Sequence, residues 1–226
     1  TIEEVGPPFQ NGMNLIMEGK PEEGFAEFAK LPTWFFDVVF VGGVGLISPK
    51  SKTEITIKLD PGYYVVECYV KMPNGVFHTT MGMATELIVT EEVSTNEPPK
   101  ADVAITVSGD AGIEFPEGLT AGEHMFSVYF KDQKQHEHFL GHDVNLVRID
   151  DNADVSVLEE WMDWSKPQGL VSPSPEGFTF LGGMNDMPTG SMGYFKATLT
   201  PGNYVFISEV PNASQKNMLK PFTITE

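Results

Sequence analysis

Short stretches in which apolar and polar residues alternate recur along the whole chain. Residues 53–59 alternate, residues 64–70 concentrate aromatic and β-branched types, and residues 85–90 repeat the pattern, as strands with one face in a core require. Residues 103–107, 124–130, 143–149, 193–199 and 204–210 read the same way. Pro61-Gly62 and Pro201-Gly202 punctuate these runs as tight turns. Two segments instead have helical period. Residues 21–30 begin with a proline suited to a first helical position and turn Phe25, Phe28 and Ala29 inward; residues 154–164 align Val155, Leu158, Trp161 and Met162 on one stripe. Many short strands and few helices predict an all-β fold, an antiparallel sandwich with the helices lying over its edges.

The chain also repeats itself. Asn14-Leu15-Ile16-Met17, Val41-Gly42-Gly43-Val44, Leu59-Asp60-Pro61-Gly62-Tyr63-Tyr64-Val65 and Leu87-Ile88-Val89-Thr90-Glu91 return in the same order. Their counterparts are Asn145-Leu146-Val147-Arg148, Leu181-Gly182-Gly183-Met184, Leu199-Thr200-Pro201-Gly202-Asn203-Tyr204-Val205 and Phe222-Thr223-Ile224-Thr225-Glu226. Matched order and spacing imply a duplicated unit. The two helical segments fall at equivalent places, and residues 94–100 between the copies are polar with two prolines, as a linker would be. The expected organisation is therefore two tandem Greek-key β-sandwiches, each with one short helical insertion: a first domain over 1–95, a linker at 96–100 and a second domain over 101–226. The first copy is short of two N-terminal strands, because residues 100–141 have no counterpart before Asn14. An edge opened in this way needs covering, and oligomerisation is one route. The paired glycines suggest bulges or close backbone approach, and Tyr64 and Tyr204 suggest corner tyrosines bonded to backbone.

Charge narrows the partners. The 226 residues carry 14 basic and 32 acidic side chains, a formal charge of -18. Such a field repels phosphate backbones and anionic lipid, and favours cations or a basic protein partner instead. The longest apolar stretch, residues 34–47, contains Asp37 and falls short of the roughly 20 residues of a membrane-spanning helix. A start at Thr1 fits export followed by signal removal and fits a trimmed chain equally, so an extracytoplasmic location is an expectation. The lone Cys68 excludes an intramolecular disulfide and any zinc site of several thiolates. No nucleophile elbow, phosphate-binding glycine loop or zincin helix is present, which argues against an enzyme. Asn212-Ala213-Ser214 matches a glycosylation sequon.

One constellation carries definite chemistry. Leu59-Asp60-Pro61-Gly62-Tyr63-Tyr64-Val65-Val66-Glu67-Cys68, then Asn74-Gly75-Val76-Phe77-His78, then Met81-Gly82-Met83, resembles the C-terminal strand pair of cupredoxin-like domains. The resemblance implies a blue-copper arrangement, in which a thiolate and two imidazoles hold copper with a weak axial thioether. It would place Cys68, His78 and Met83, or Met81, around the metal, with Met72-Pro73-Asn74-Gly75 turning the chain back toward Cys68. The set is broken in both copies. Aligning Asn14 with Asn145 puts Asn11 where the second copy has His142, and Ser208 stands where the first has Cys68. A neutral amide is a weak copper ligand and serine supplies no thiolate.

A second cluster, His136-Glu137-His138-Phe139-Leu140-Gly141-His142, would project its three imidazoles from one face of an uninterrupted strand and could chelate zinc or copper. Gly141 interrupts that alternation. The expected function is a non-catalytic binding or structural module with no cofactor and a degenerate copper site. The alternative is a copper-handling or electron-transfer protein using Cys68, His78 and Met83.

Overall fold

The computed structural model describes residues 2–225. It opens with helices α1 (Ile2–Met17) and α2 (Pro21–Phe28) and continues through strands β1 (Glu54–Ile57), β2 (Gly62–Glu67) and β3 (Ala84–Val89). Strands β4 (Val103–Ser108), β5 (Gly112–Glu114), β6 (Gly122–Phe130) and β7 (Val144–Ile149) follow, then helix α3 (Val155–Met162). The chain closes with β8 (Phe178–Met184), β9 (Met192–Leu199), β10 (Gly202–Ile207) and β11 (Leu219–Ile224). Three sheets result: a five-stranded sheet in the order β1-β9-β6-β4-β5, a four-stranded sheet in the order β11-β10-β7-β8, and the isolated hairpin β2-β3. The fold is mostly β, with α1 the one helix the sequence pattern did not suggest. No described helix is long and apolar enough to cross a membrane.

The second half forms the sandwich. Alternation along β9 buries Gly193, Phe195, Ala197 and Leu199 while the intervening residues stay more exposed, as one-sided burial dictates. Phe126 and Phe195 stack at 4.6 Å between ring centroids, and Phe206 meets Phe115 at 4.8 Å and Phe222 at 5.0 Å, so aromatic rings fill the space between the sheets. One pair departs from the expected antiparallel pattern: β4 and β6 run parallel, because β5 turns back on β4 before the chain crosses over. Helix α3 begins under an Asp154 cap that accepts from the Ser156 N–H and buries Leu158 and Met162. Helix α2 buries Phe28 but leaves Phe25 and Ala29 exposed, a narrower inward face than the periodicity suggested.

The two halves meet about an approximate dyad written in the strand register. Ile55 lies opposite Phe195, with Glu54 opposite Lys196 and Thr56 opposite Tyr194; in the repeat, Ile55 and Phe195 are equivalent positions. Val44 bridges its own equivalent, Met184. The flanking bonds swap in the same way, Gly45 N–H donating to the Gly183 carbonyl and Asn185 N–H to the Gly43 carbonyl. The close approach expected of the glycines is real: a Cβ on Gly183, at φ +152°, would lie 2.1 Å from the Val144 oxygen, and β7 and β8 shift register beside it. The sheets therefore cross the expected boundary at 96–100. Among the described residues the first half adds β1 to one sheet and residues 43–48 to the other, and leaves β2-β3 apart. Residues 14–17, aligned with β7 by the repeat, end helix α1 instead.

The hairpins β2-β3 and β10-β11 agree closely. Gly62 pairs with Val89 as Gly202 pairs with Ile224, and each corner tyrosine donates to the carbonyl four residues back, Tyr64 to Asp60 at 2.7 Å and Tyr204 to Thr200 at 2.8 Å. Only Tyr204 is buried, and it also accepts from the Thr200 N–H. Tyr204→Phe should cost about 1–2 kcal/mol by stranding these partners, and at about 2–4 °C per kcal/mol its Tm should fall by several degrees in calorimetry. Tyr64→Phe, in a solvated hairpin, should stay within about 0.5 kcal/mol of the parent.

Candidate functional site

The loop after β2 brings two of the expected donors together. Met72 N–H donates to the Val76 carbonyl and Gly75 N–H to that of Met72, closing the turn for which Gly75 supplies φ +79°. His78 N–H then reaches the Val70 carbonyl, Thr79 N–H that of Cys68, and Cys68 N–H that of Met83. This ladder sets Cys68 Sγ 3.6 Å from His78 Nδ1. Met81 and Met83 flank Gly82 at φ +97° and are both exposed. Burial, together with the Glu67 and Glu209 carboxylates, holds the Cys68 thiol above its ordinary value, so the thiolate is not formed in advance. Asn11 is exposed on α1. Its neighbour Gln10 faces the loop instead, accepting from Thr80 Oγ1 at 2.7 Å and from the Phe77 N–H.

In the second half Ser208, which aligns with Cys68, enters a buried hydrogen-bond network. The Ser208 hydroxyl donates to Asp143 Oδ1, which also accepts from the Glu209 N–H at 2.8 Å; Asp143 Oδ2 accepts from the Asn145 amide at 2.7 Å. His142 is fully buried and pairs with His136 rather than with Ser208, their Nε2 atoms 3.0 Å apart. Its Nδ1 has no hydrogen-bond partner and lies 3.9 Å from Asp132. The three histidines do not share an uninterrupted strand. Residues 133–143 form a loop closed by a bond from the His136 N–H to the Leu140 carbonyl, and His138 and Phe139 take positive φ. That reversal joins His136 to His142 and separates His138. Among the described residues no three His, Cys, Asp or Glu side chains gather as a metal would need.

Pattern reading missed a buried acidic cluster where the halves touch. Asp143 and Glu209 are both buried, and Tyr69 of the first half donates to Glu209 at 2.9 Å and meets Asn185 Oδ1 at 3.0 Å. Burial raises Asp143 to about 7 and Asp186 to about 6, and burial with the neighbouring Asp143 charge raises Glu209 well above the carboxylate range. Beside them Lys71 is almost completely buried, donating to the Lys166 and Trp164 carbonyls with its Nζ 5.2 Å from the Trp164 ring centre. Burial lowers it to about 8. The available signal was polar residues on inward strand positions, Asp143 and Asn145 flanking Val144, and Ser208-Glu209 closing an apolar run.

The chain matches no family model and no curated protein. Among solved structures, auracyanin B is similar at 22% identity with a TM-score of 0.37, over 58% of this chain and 94% of its own. A dithionite-reduced auracyanin from the photosynthetic bacterium Roseiflexus castenholzii is similar at 16% identity with a TM-score of 0.35, over 54% of this chain and 95% of its own.

The buried carboxyls give a testable pH dependence. Each keeps in the fold a proton that the unfolded chain releases above about pH 4. The native state then binds more protons, so their contribution is complete below that range and is lost as pH rises through about 6 to 7. Calorimetry should show Tm falling between pH 5 and pH 8. Glu209→Gln, which keeps an acceptor for Tyr69 and cannot ionise, should make the fall shallower.

Proposed function

We propose that the chain is a non-catalytic, extracytoplasmic binding module of cupredoxin-like architecture whose copper site is incomplete. The separation of the donors carries this reading. The first half offers Cys68 and His78, the second offers His142 turned toward His136, and a serine bonded to Asp143 takes the place of the second half's thiol. A blue-copper centre needs a thiolate and two imidazoles on one ion, and a thiol held protonated by burial beside carboxylates is a poor start for it. An acidic surface suits a basic protein partner.

One observation favours a second reading, a copper-handling or electron-transfer protein. Metal–sulfur and metal–nitrogen bonds of about 2.3 and 2.0–2.1 Å at a tetrahedral ion put the two donors about 3.6 Å apart, the separation found for Cys68 and His78. Copper(II) titration followed by visible absorption distinguishes the two. The first reading expects no intense charge-transfer band; a strong band that Cys68→Ser abolishes overturns it in favour of the second.

A further inference from the structure

The dyad turns the second half into a template for what the first half lacks. Strand β9 carries β1 on one edge and β6 on the other, and β10 carries β11 on one edge and β7 on the other. In the first half β1 has its partner β9 and β2 has β3 in the register of β10 with β11, but the edges corresponding to those of β6 and β7 are open among the described residues. Burial tells the same story residue by residue. Val65 is 47% exposed where its equivalent Val205 is 0%, and Val66 is 55% exposed where Phe206 is 0%. Tyr63 and Ile88 extend the same bare hairpin. A six-residue strand with an open edge and apolar side chains is a ready template for pairing.

We propose that β2 is an acceptor for an extended strand from a partner polypeptide, added antiparallel as β7 adds to β10. This deepens the binding-module reading and rests on it. The template specifies the partner's chemistry. Opposite Tyr204, Val205 and Phe206 stand Arg148, Val147 and Leu146, and Arg148 donates to the Pro201 carbonyl at 3.3 Å. The incoming strand therefore sets a basic residue opposite Tyr64, within reach of Pro61, and aliphatic residues opposite Val65 and Val66. Glu67 within β2 and Glu86 on β3, opposite Val65, add negative charge along the hairpin, and a net charge of -18 steers a basic strand toward it. Main-chain bonds supply affinity and alternate side chains the selectivity, as in other strand additions.

The probe is an end-capped synthetic peptide with this chain's own β7 sequence, Val-Asn-Leu-Val-Arg-Ile, whose one charge is basic, added to the intact protein during amide hydrogen exchange. Exchange over residues 62–67 should slow by about tenfold at saturation. Val65→Pro, which removes a ladder donor, should abolish that protection in a hairpin that packs on little else, and a peptide with glutamate in place of its arginine should restore normal exchange. Unchanged exchange over 62–67 overturns the proposal, as does protection confined to β10, which would mean that the peptide merely displaces β7. Protection of β2 without peptide, in a protein that sediments as a dimer, assigns the edge to a second copy and also overturns it. None of these results depends on copper, so a visible band would remove the binding-module reading without being confused with them.

Discussion

The antiparallel pairing of like with like holds this molecule together. Ile55 against Phe195 and Val44 against Met184 extend the two sheets across the junction, and Lys71 bridges Val171 as well. Remove them and β1 has no sheet, while Tyr69 and Lys71 lose the surface into which they are buried. Main-chain pairing is well suited to the task because it tolerates divergence: Ile55 and Phe195 differ in volume and share only an apolar character and a place in the register. The glycines at 182 and 183 permit the second pairing, since at Gly183 a side chain would strike the neighbouring strand.

Half of the architecture could be read from the sequence and half could not, for physical reasons. Pattern locates β4, β6, β7, β9 and β10, and β9 most plainly because it has one buried and one more exposed face; it is silent on the short β5 and on β8 and β11. The Pro-Gly-x-Tyr turns identified both corner tyrosines because that bond is local, spanning four residues. The fate of the first half depends instead on what is available to pair with it, and pattern is silent on that. Tyr63, Val65 and Ile88 carry the composition of buried strand residues yet stand in solvent. Residues 14–17 have the apolar character of β7, but with no sheet beside them they continue a helix.

At the site, proximity was legible and completeness was not. The Met72-Pro73-Asn74-Gly75 turn has the chemistry to return His78 to Cys68, and it does so. In the second half Ser208, which aligns with Cys68, meets a hydrogen-bonding demand. Ser208, Asp143 and Asn145 satisfy one another in a place without solvent, where burial raises the Asp143 and Glu209 carboxyls. His142 finds its partner in His136 through a loop whose positive φ angles at His138 and Phe139 leave no trace in an alternation pattern.

Lys71 sits at the seam, its amine held by two main-chain carbonyls and beside an indole. No solvent-borne acylating reagent can reach that nitrogen while the halves remain docked, and once they part it becomes an ordinary accessible amine. The seam thus contains its own reporter: covalent labelling at this single lysine registers separation of the halves even when the β4-to-β11 sandwich stays folded.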